Sequence, residues 1–340
     1  MVNISRHASR HASGQLLSRL QQPAESSRLV IYAALAGNFL VALTKLWAAA
    51  WTGSSAMLSE SIHSLVDMGN ELLLLYGLQR ANRRPDHDHP LGYGREVYFW
   101  SFVVAVLIVT FGAGLSIYEG IRHILDPEPM ENVVANYLVL LAAAIFEGCS
   151  WLLTLHKFKG RRRLAELPDE VLRSKDPPTF IVLLEDTAAL LGIAAAFAGI
   201  WLSQHFNEPI WDGVASIVIG VILAATAAVL GQETKGLLIG ERAQQEVLDS
   251  ILAEATSLDG VAGANGVLTV HLAPHQILAA LSVEFEDKLT TPQIEALVIE
   301  METHLHALHP EIVALFIKPQ TAGRFHDVLH KQRNEDPGTT

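Results

Sequence analysis

At 340 residues the chain is long enough for about two domains of ordinary size. Its charged fraction, 18%, lies below the about 25% of soluble domains, and a formal net charge of −12 argues against nucleic acid, which selects basic patches. One cysteine, Cys149, rules out an internal disulfide framework and any cysteine-based zinc cluster; set in an apolar run, it reads as a buried, inert thiol.

Residues 1–27 are polar, with Arg6, Arg10, Arg19 and one acid, Glu25, and hold no apolar core of the kind a secretory signal needs. They read as a cytoplasmic tail, with a mitochondrial transit peptide as the alternative that the Ser- and Arg-rich composition allows. Six apolar stretches follow, at 29–51, 55–79, 97–121, 132–156, 178–203 and 209–232. Each suits a helix of the about 20 residues that cross a hydrocarbon layer. Their connections alternate in charge. Residues 80–96 carry Arg80, Arg83, Arg84 and Arg95, and residues 157–177 carry seven bases from Lys157 to Lys175. The other connections carry almost none; Arg122 is the exception. Lys and Arg gather on cytoplasmic loops, so both termini are predicted to be cytoplasmic. All six tryptophans, Trp47, Trp51, Trp100, Trp151, Trp201 and Trp211, fall near predicted helix ends, as an interfacial aromatic belt requires.

Beyond Gly240 the pattern shortens, and acids outnumber bases by 15 to 6 over 241–340. Glu241 to Leu258 has helical apolar spacing. Gly260, Gly263 and Gly266 suggest a turn-rich entry to a strand over Val267 to Leu272, closed by Pro274. Ile277 to Phe285 alternates as a second strand, Thr291-Pro292 opens a helix to about Leu308, and Ile312 to Ile317 is a third strand. This order, αββαβ, predicts an open-faced α/β sandwich. The predicted regions are a polar tail (1–27), a six-helix transmembrane domain (28–233), a cytoplasmic α/β domain (234–320) and a polar C-terminal tail (321–340).

Ionisable side chains at membrane depth are costly and point to function. The second span contains Glu60, His63, Asp67 and Glu71, whose steps of three and four place them on one helix face. His63 and Asp67, one turn apart, have the spacing with which two side chains hold one ion. The fifth span supplies adjacent acids, Glu185 and Asp186, of which only one faces that pair squarely. A neutral imidazole with two carboxylates offsets the charge of a divalent cation, and this mixed nitrogen and oxygen set suits Zn²⁺, with Mn²⁺, Fe²⁺ or Co²⁺ as alternatives. The competing reading is that His63 and Asp67 pair with each other or with Lys45 in a helix interface. Glu119 and Glu147 are further intramembrane acids, with structural hydrogen bonds or a proton path as the open readings.

The segment from Ser54 to Asp67, Ser-Ser-Ala-Met-Leu-Ser-Glu-Ser-Ile-His-Ser-Leu-Val-Asp, resembles the signature of the cation diffusion facilitator family. The loop Pro85-Asp86-His87-Asp88-His89-Pro90-Leu91-Gly92-Tyr93-Gly94-Arg95-Glu96 is similar to that family's second-to-third-helix loop. The resemblance covers roughly residues 28–320. It implies a homodimeric exporter of divalent transition metals, commonly zinc, that exchanges metal for protons and carries a ferredoxin-like cytoplasmic domain. It implies metal as cargo, no permanently bound cofactor, no enzymatic activity, and a multi-pass membrane location, a bacterial inner membrane or else an organelle membrane.

Position by position, the resemblance implies that His63 and Asp67 are ligands from the second helix and Asp186 the ligand from the fifth. Zinc members usually carry a second His where Val182 stands, so Glu185 or a water must complete the site. Leu-Leu-Glu-Asp-Thr in the fifth span resembles a divergent branch that includes a mitochondrial zinc transporter. Asp86 and His89, with His87 and Asp88, match a secondary loop site, although Tyr93 stands where a further His is common. Arg95 matches a base that pairs with a hinge acid, for which Glu241 is the nearest partner. Metal and proton are expected to compete at His63, since imidazole has an ordinary pKa of about 6.5 and protonation removes the ligand lone pair. A non-transporting scaffold and a proton-coupled small-molecule exporter are the rival functions.

Overall fold

The computed structural model describes residues 24–127, 130, 132–159 and 175–327. Most of the predicted N-terminal tail, the run of arginines at 161–163 and residues 328–340 lie outside the described residues.

Among the described residues, six long helices come first: α1 (Ala24–Thr52), α2 (Ser55–Ala81), α3 (Glu96–Leu125), α4 (Val133–Lys159), α5 (Pro177–Phe206) and α6 (Ile210–Ile239). Among the described residues, α3 to α6 are long and apolar enough to cross a membrane. Helix α2 has a comparable length, 27 residues, but Glu60, His63, Asp67 and Glu71 interrupt its apolar run. The exposed side chains suit lipid as solvent. Leu138, Leu152, Leu153, Phe197 and Val221 face outward, whereas Ser59, Ser101, Ser116 and Ser216 are buried, the reverse of a water-soluble bundle. Cys149 is exposed rather than buried, because α4 turns most of its surface outward, with 11% of its apolar window buried. Helices α3 and α6 meet backbone to backbone at Gly120 and Gly213, where a Cβ on either residue would stand 2.7 and 2.9 Å from the other's carbonyl oxygen. Within α3, residues Ile108–Ala113 widen into a π-helical turn. Inserting one residue in this way shifts the helix face without breaking the helix.

The remaining elements are α7 (Gln245–Ser257), β1 (Val261–Ala273), β2 (Gln276–Phe285), α8 (Thr291–Leu308) and β3 (Ile312–Pro319). The sheet order is β1-β2-β3, with β1–β2 antiparallel and β2–β3 parallel. Of the expected turn-rich entry, Gly260 sits in a turn with φ of +100°, whereas Gly263 and Gly266 belong to the first half of β1. Register shifts fall between Val261 and Gly263 and between Ala264 and Gly266, so Gly263 and Gly266 serve bulges in a strand rather than turns. Helix α8 starts as its sequence predicts: Thr290 and Gln293 form a capping box, with Pro292 in the first turn. Ile251 and Ala255 of α7, Met301 and Leu305 of α8, and Ala279, Leu281 and Val283 of β2 form the core. Residues 322–327 are helical, where a polar tail is expected. Helix α6 runs on to Ile239, so the predicted border at 233 falls inside it.

The chain forms two compact units. One is made of residues up to Leu72 with Leu107–Ser150 and Asp186–Ala224; the other is made of Leu73–Val106, Trp151–Glu185 and the chain from Ala225 on.

Candidate metal site

In the first unit, the start of α2 is built around Asp212, the first acid of α6. Its carboxylate, fully buried, accepts hydrogen bonds from Ser54 Oγ (2.8 Å), Ser55 N (2.5 Å) and Ala56 N (3.2 Å). The first turn of a helix presents unpaired N–H groups and a partial positive charge, both of which a carboxylate satisfies. His123 Nε2 lies 3.9 Å from the same carboxylate. Ser59 and Ser216 hydrogen-bond to each other one turn further in. A cavity of about 340 Å³ lies at this end, lined by Ser54, Leu58, Glu119, Arg122, His123 and Asp126. Glu119 pairs with Arg122, one turn along α3, at 3.4 Å.

Next along α2 comes Glu60, whose Oε2 lies 3.1 Å from the Nζ of Lys45 on α1; the same ammonium donates to Ser64 Oγ at 2.8 Å. Then comes the predicted pair. His63 Nδ1 lies 3.3 Å from Asp67 Oδ1. The ring is 2% exposed, and neither ring nitrogen has a hydrogen-bond partner among the described residues. A buried imidazole serving only as packing normally satisfies its N–H and its lone pair. Glu71, the last member of the stripe, accepts a hydrogen bond from Asn38 of α1 at 2.6 Å. Polar pairs between α1 and α2 therefore flank His63 and Asp67 on both sides.

From α5, Asp186 is 9% exposed and accepts a hydrogen bond from Ser150 Oγ of α4 at 2.9 Å. Glu185 is buried. Among the described residues, no three His, Cys, Asp or Glu side chains gather as a preformed metal cage. The structure thus joins His63 to Asp67 and orients Asp186 through Ser150, without uniting the three. Glu147 is partly buried on α4.

In the second unit, the 80–96 loop is ordered around Asp86. Its carboxylate accepts from the backbone N–H of Asp88 (3.1 Å) and His89 (2.8 Å) and from the Tyr93 hydroxyl (2.5 Å). His89 Nδ1 lies 3.4 Å from Asp86, and its ring packs on Tyr93. His87 and Asp88 are exposed to solvent. The Tyr93 hydroxyl, aided by the His89 amide, holds the Asp86 carboxyl below the usual carboxylate range. A depressed folded-state pKa means that the ordering is complete above the ordinary carboxylate pKa and is lost as pH falls through the lowered value. The side-chain carboxyl-carbon resonance of Asp86 is accordingly expected to keep its ionised position from neutral pH down through the ordinary carboxylate range, and to titrate only below it.

At the hinge, the expected partner of Glu241 needs correction. Glu241 pairs with Lys175, just before α5, rather than with Arg95. The Arg95 guanidinium lies beside Gly240 instead, and the backbone carbonyl of Glu241 is taken by His271 N at 2.9 Å. Lys175 belongs to a basic loop whose charges read only as topology signals, so nothing in its own surroundings marks it as this partner.

A family model described as the cation efflux transmembrane domain matches residues 31–239. The chain belongs to the cation diffusion facilitator family. Members of this family are transporters, not enzymes. The chain is 32% identical over 267 residues to the mitochondrial proton-coupled zinc antiporter SLC30A9 of Mus musculus, covering 77% of this chain and 47% of that one. It is 31% identical over 253 residues to metal tolerance protein C4 of Arabidopsis thaliana, covering 73% and 55%. It is 26% identical over 285 residues to the cation-efflux pump FieF of Escherichia fergusonii, covering 81% and 87%. The chain spans about half the length of the antiporter and the tolerance protein. As a cation diffusion facilitator with apolar helices of spanning length, it is a multi-pass membrane protein.

Proposed function

We propose that this protein exports divalent transition-metal cations, zinc foremost, from the cytoplasm in exchange for protons. The observation that carries the reading is the His63–Asp67 pair: a buried imidazole whose two nitrogens have no hydrogen-bond partner among the described residues, beside a carboxylate, within a membrane domain of a cation-transporting family. Asp186 completes the charge needed for a divalent ion, with Glu185 or a water as the fourth ligand. Zinc and proton coupling are supported by the name of the Mus musculus relative, a proton-coupled zinc antiporter. All six long helices span the membrane in this reading, with both termini cytoplasmic. The αββαβ order and mixed sheet of the C-terminal region support a ferredoxin-like domain, through which two copies pair. A bacterial inner membrane or an organelle membrane is the location.

The second reading keeps the transport and changes the metal. Val182 stands where a second imidazole would favour zinc, and the remaining set is richer in oxygen, which suits Mn²⁺ or Fe²⁺ better. A panel of Zn²⁺, Mn²⁺, Fe²⁺, Co²⁺ and Cd²⁺ fluxes in proteoliposomes under an imposed pH gradient separates these readings. Zinc flux that exceeds the others and collapses when a protonophore removes the gradient is the expected outcome. Greater flux of Mn²⁺ or Fe²⁺ moves the assignment to the second reading, and no flux of any cation favours a scaffold.

A further inference from the structure

One turn before the metal pair, α2 carries an arrangement that folding alone does not explain. Lys45 and Glu60 are both fully buried, joined at 3.1 Å, with Ser64 as the second anchor of the ammonium. A buried ion pair gives little or no net stability over apolar residues of the same size, because both charges lose their hydration. The other oxygen of Glu60, Oε1, is buried and has no hydrogen-bond partner among the described residues. It lies against Gly192 of α5, at the spot a Cβ on that residue would fill. Glycine at 192 therefore leaves room for a carboxylate on the helix that also carries Asp186. Glu60 precedes His63 by three residues, which sets their Cβ atoms about 5–6 Å apart on one helix face. A free carboxylate oxygen is thus held next to the metal pair, and its partner oxygen is already occupied by a tethered cation.

We propose that Lys45 is a built-in competitor for the metal: its ammonium holds Glu60 out of the ligand set, so the cargo meets only His63, Asp67 and the α5 acid. The proposal rests on the reading of those residues as the transport site. Its consequence is kinetic. Metal affinity rises with the number of charged oxygen ligands, and a cation bound by three carboxylates and an imidazole leaves slowly. Lys45 keeps the site loose enough to release its cargo, and Gly192 keeps the reserve carboxylate within reach.

Zinc titration of the purified full-length protein by calorimetry, with zinc uptake into vesicles measured in parallel, tests this. Lys45→Met keeps the side-chain length and removes the charge. It is expected to tighten zinc binding about tenfold while slowing uptake, since added carboxylate ligands raise affinity. Lys45→Met combined with Glu60→Gln is expected to bring affinity back to within about threefold of the unaltered protein, because the freed ligand is then neutral. Ser64→Ala, which keeps both charges and removes one anchor, is expected to tighten binding about two- to threefold, and it serves where Lys45→Met does not fold. Loss of both affinity and uptake in a folded Lys45→Met protein, or unchanged affinity in it or in Ser64→Ala, overturns the proposal and leaves the transport site standing. Absence of zinc binding in the unaltered protein overturns both.

Discussion

Removing the Asp212 carboxylate is expected to cost about 3–5 kcal/mol of stability, the range for stripping one partner from a buried charged network. Asp212→Ala leaves the Ser55 and Ala56 N–H groups and the Ser54 hydroxyl without their acceptor inside a fully buried corner. Each such donor, desolvated and unpaired, costs about 1–3 kcal/mol. It also removes the negative charge that faces the N-terminus of α2 and the nearby His123. Asp212→Asn keeps an acceptor oxygen and the shape, so a smaller loss is expected. Thermal unfolding of the purified protein checks the ranking, with Asp212→Ala melting lowest. Equal melting of all three proteins would mean that the start of α2 is held elsewhere. Because α2 carries His63 and Asp67, the Ala variant is also expected to lose metal binding as its helix frays.

Replacing His63 by Ala is expected to weaken zinc binding at least about 100-fold. Loss of an outer-shell partner alone typically costs 10–100-fold, and His63 is read here as a ligand. Asp67→Asn is expected to match it, because it takes away the charge as well as an oxygen of the pair. Ser150→Ala tests the next layer out. Its hydroxyl orients Asp186, so a loss of about 10–100-fold is expected without a change in metal preference. Substituting the exposed His87 or Asp88 changes stability within about 0.5 kcal/mol, as for other surface positions, and leaves zinc affinity unaltered. Calorimetric zinc titration of the five variants beside the unaltered protein measures this order.

Helices α3 to α6 were legible because an apolar run of spanning length fits little besides a membrane helix, and the sequence-based borders of the long helices fall within about seven residues of those observed. The π-helical turn at Ile108–Ala113 was not legible, because an extra residue per turn leaves composition and hydropathy unchanged. Glycines at 263 and 266 read as turn residues since the same backbone freedom serves a bulge; only pairing with β2 distinguishes the two. In the site, His63 and Asp67 announced themselves as ionisable groups in an apolar helix. Lys45 was visible as a charge, but its partner was not, since Glu60 lies fifteen residues away on another helix. Asp212 was missed although it is a lone acid at the head of an apolar span, and that signal is the one that could have found it. Lys175 in place of Arg95 at the hinge depends on which of two basic loops approaches Glu241, which is a tertiary fact.

In the proposed function, His63, Asp67 and Asp186 carry a divalent cation across the membrane. Zinc uptake into sealed vesicles holding the unaltered protein, His63→Ala or Asp186→Ala, at equal protein content and the same imposed pH gradient, tests it most directly. Uptake by the unaltered protein, with both variants reduced to the level of empty vesicles, is the predicted result. Folded variants that both take up zinc at the unaltered rate would exclude these side chains as the transport site.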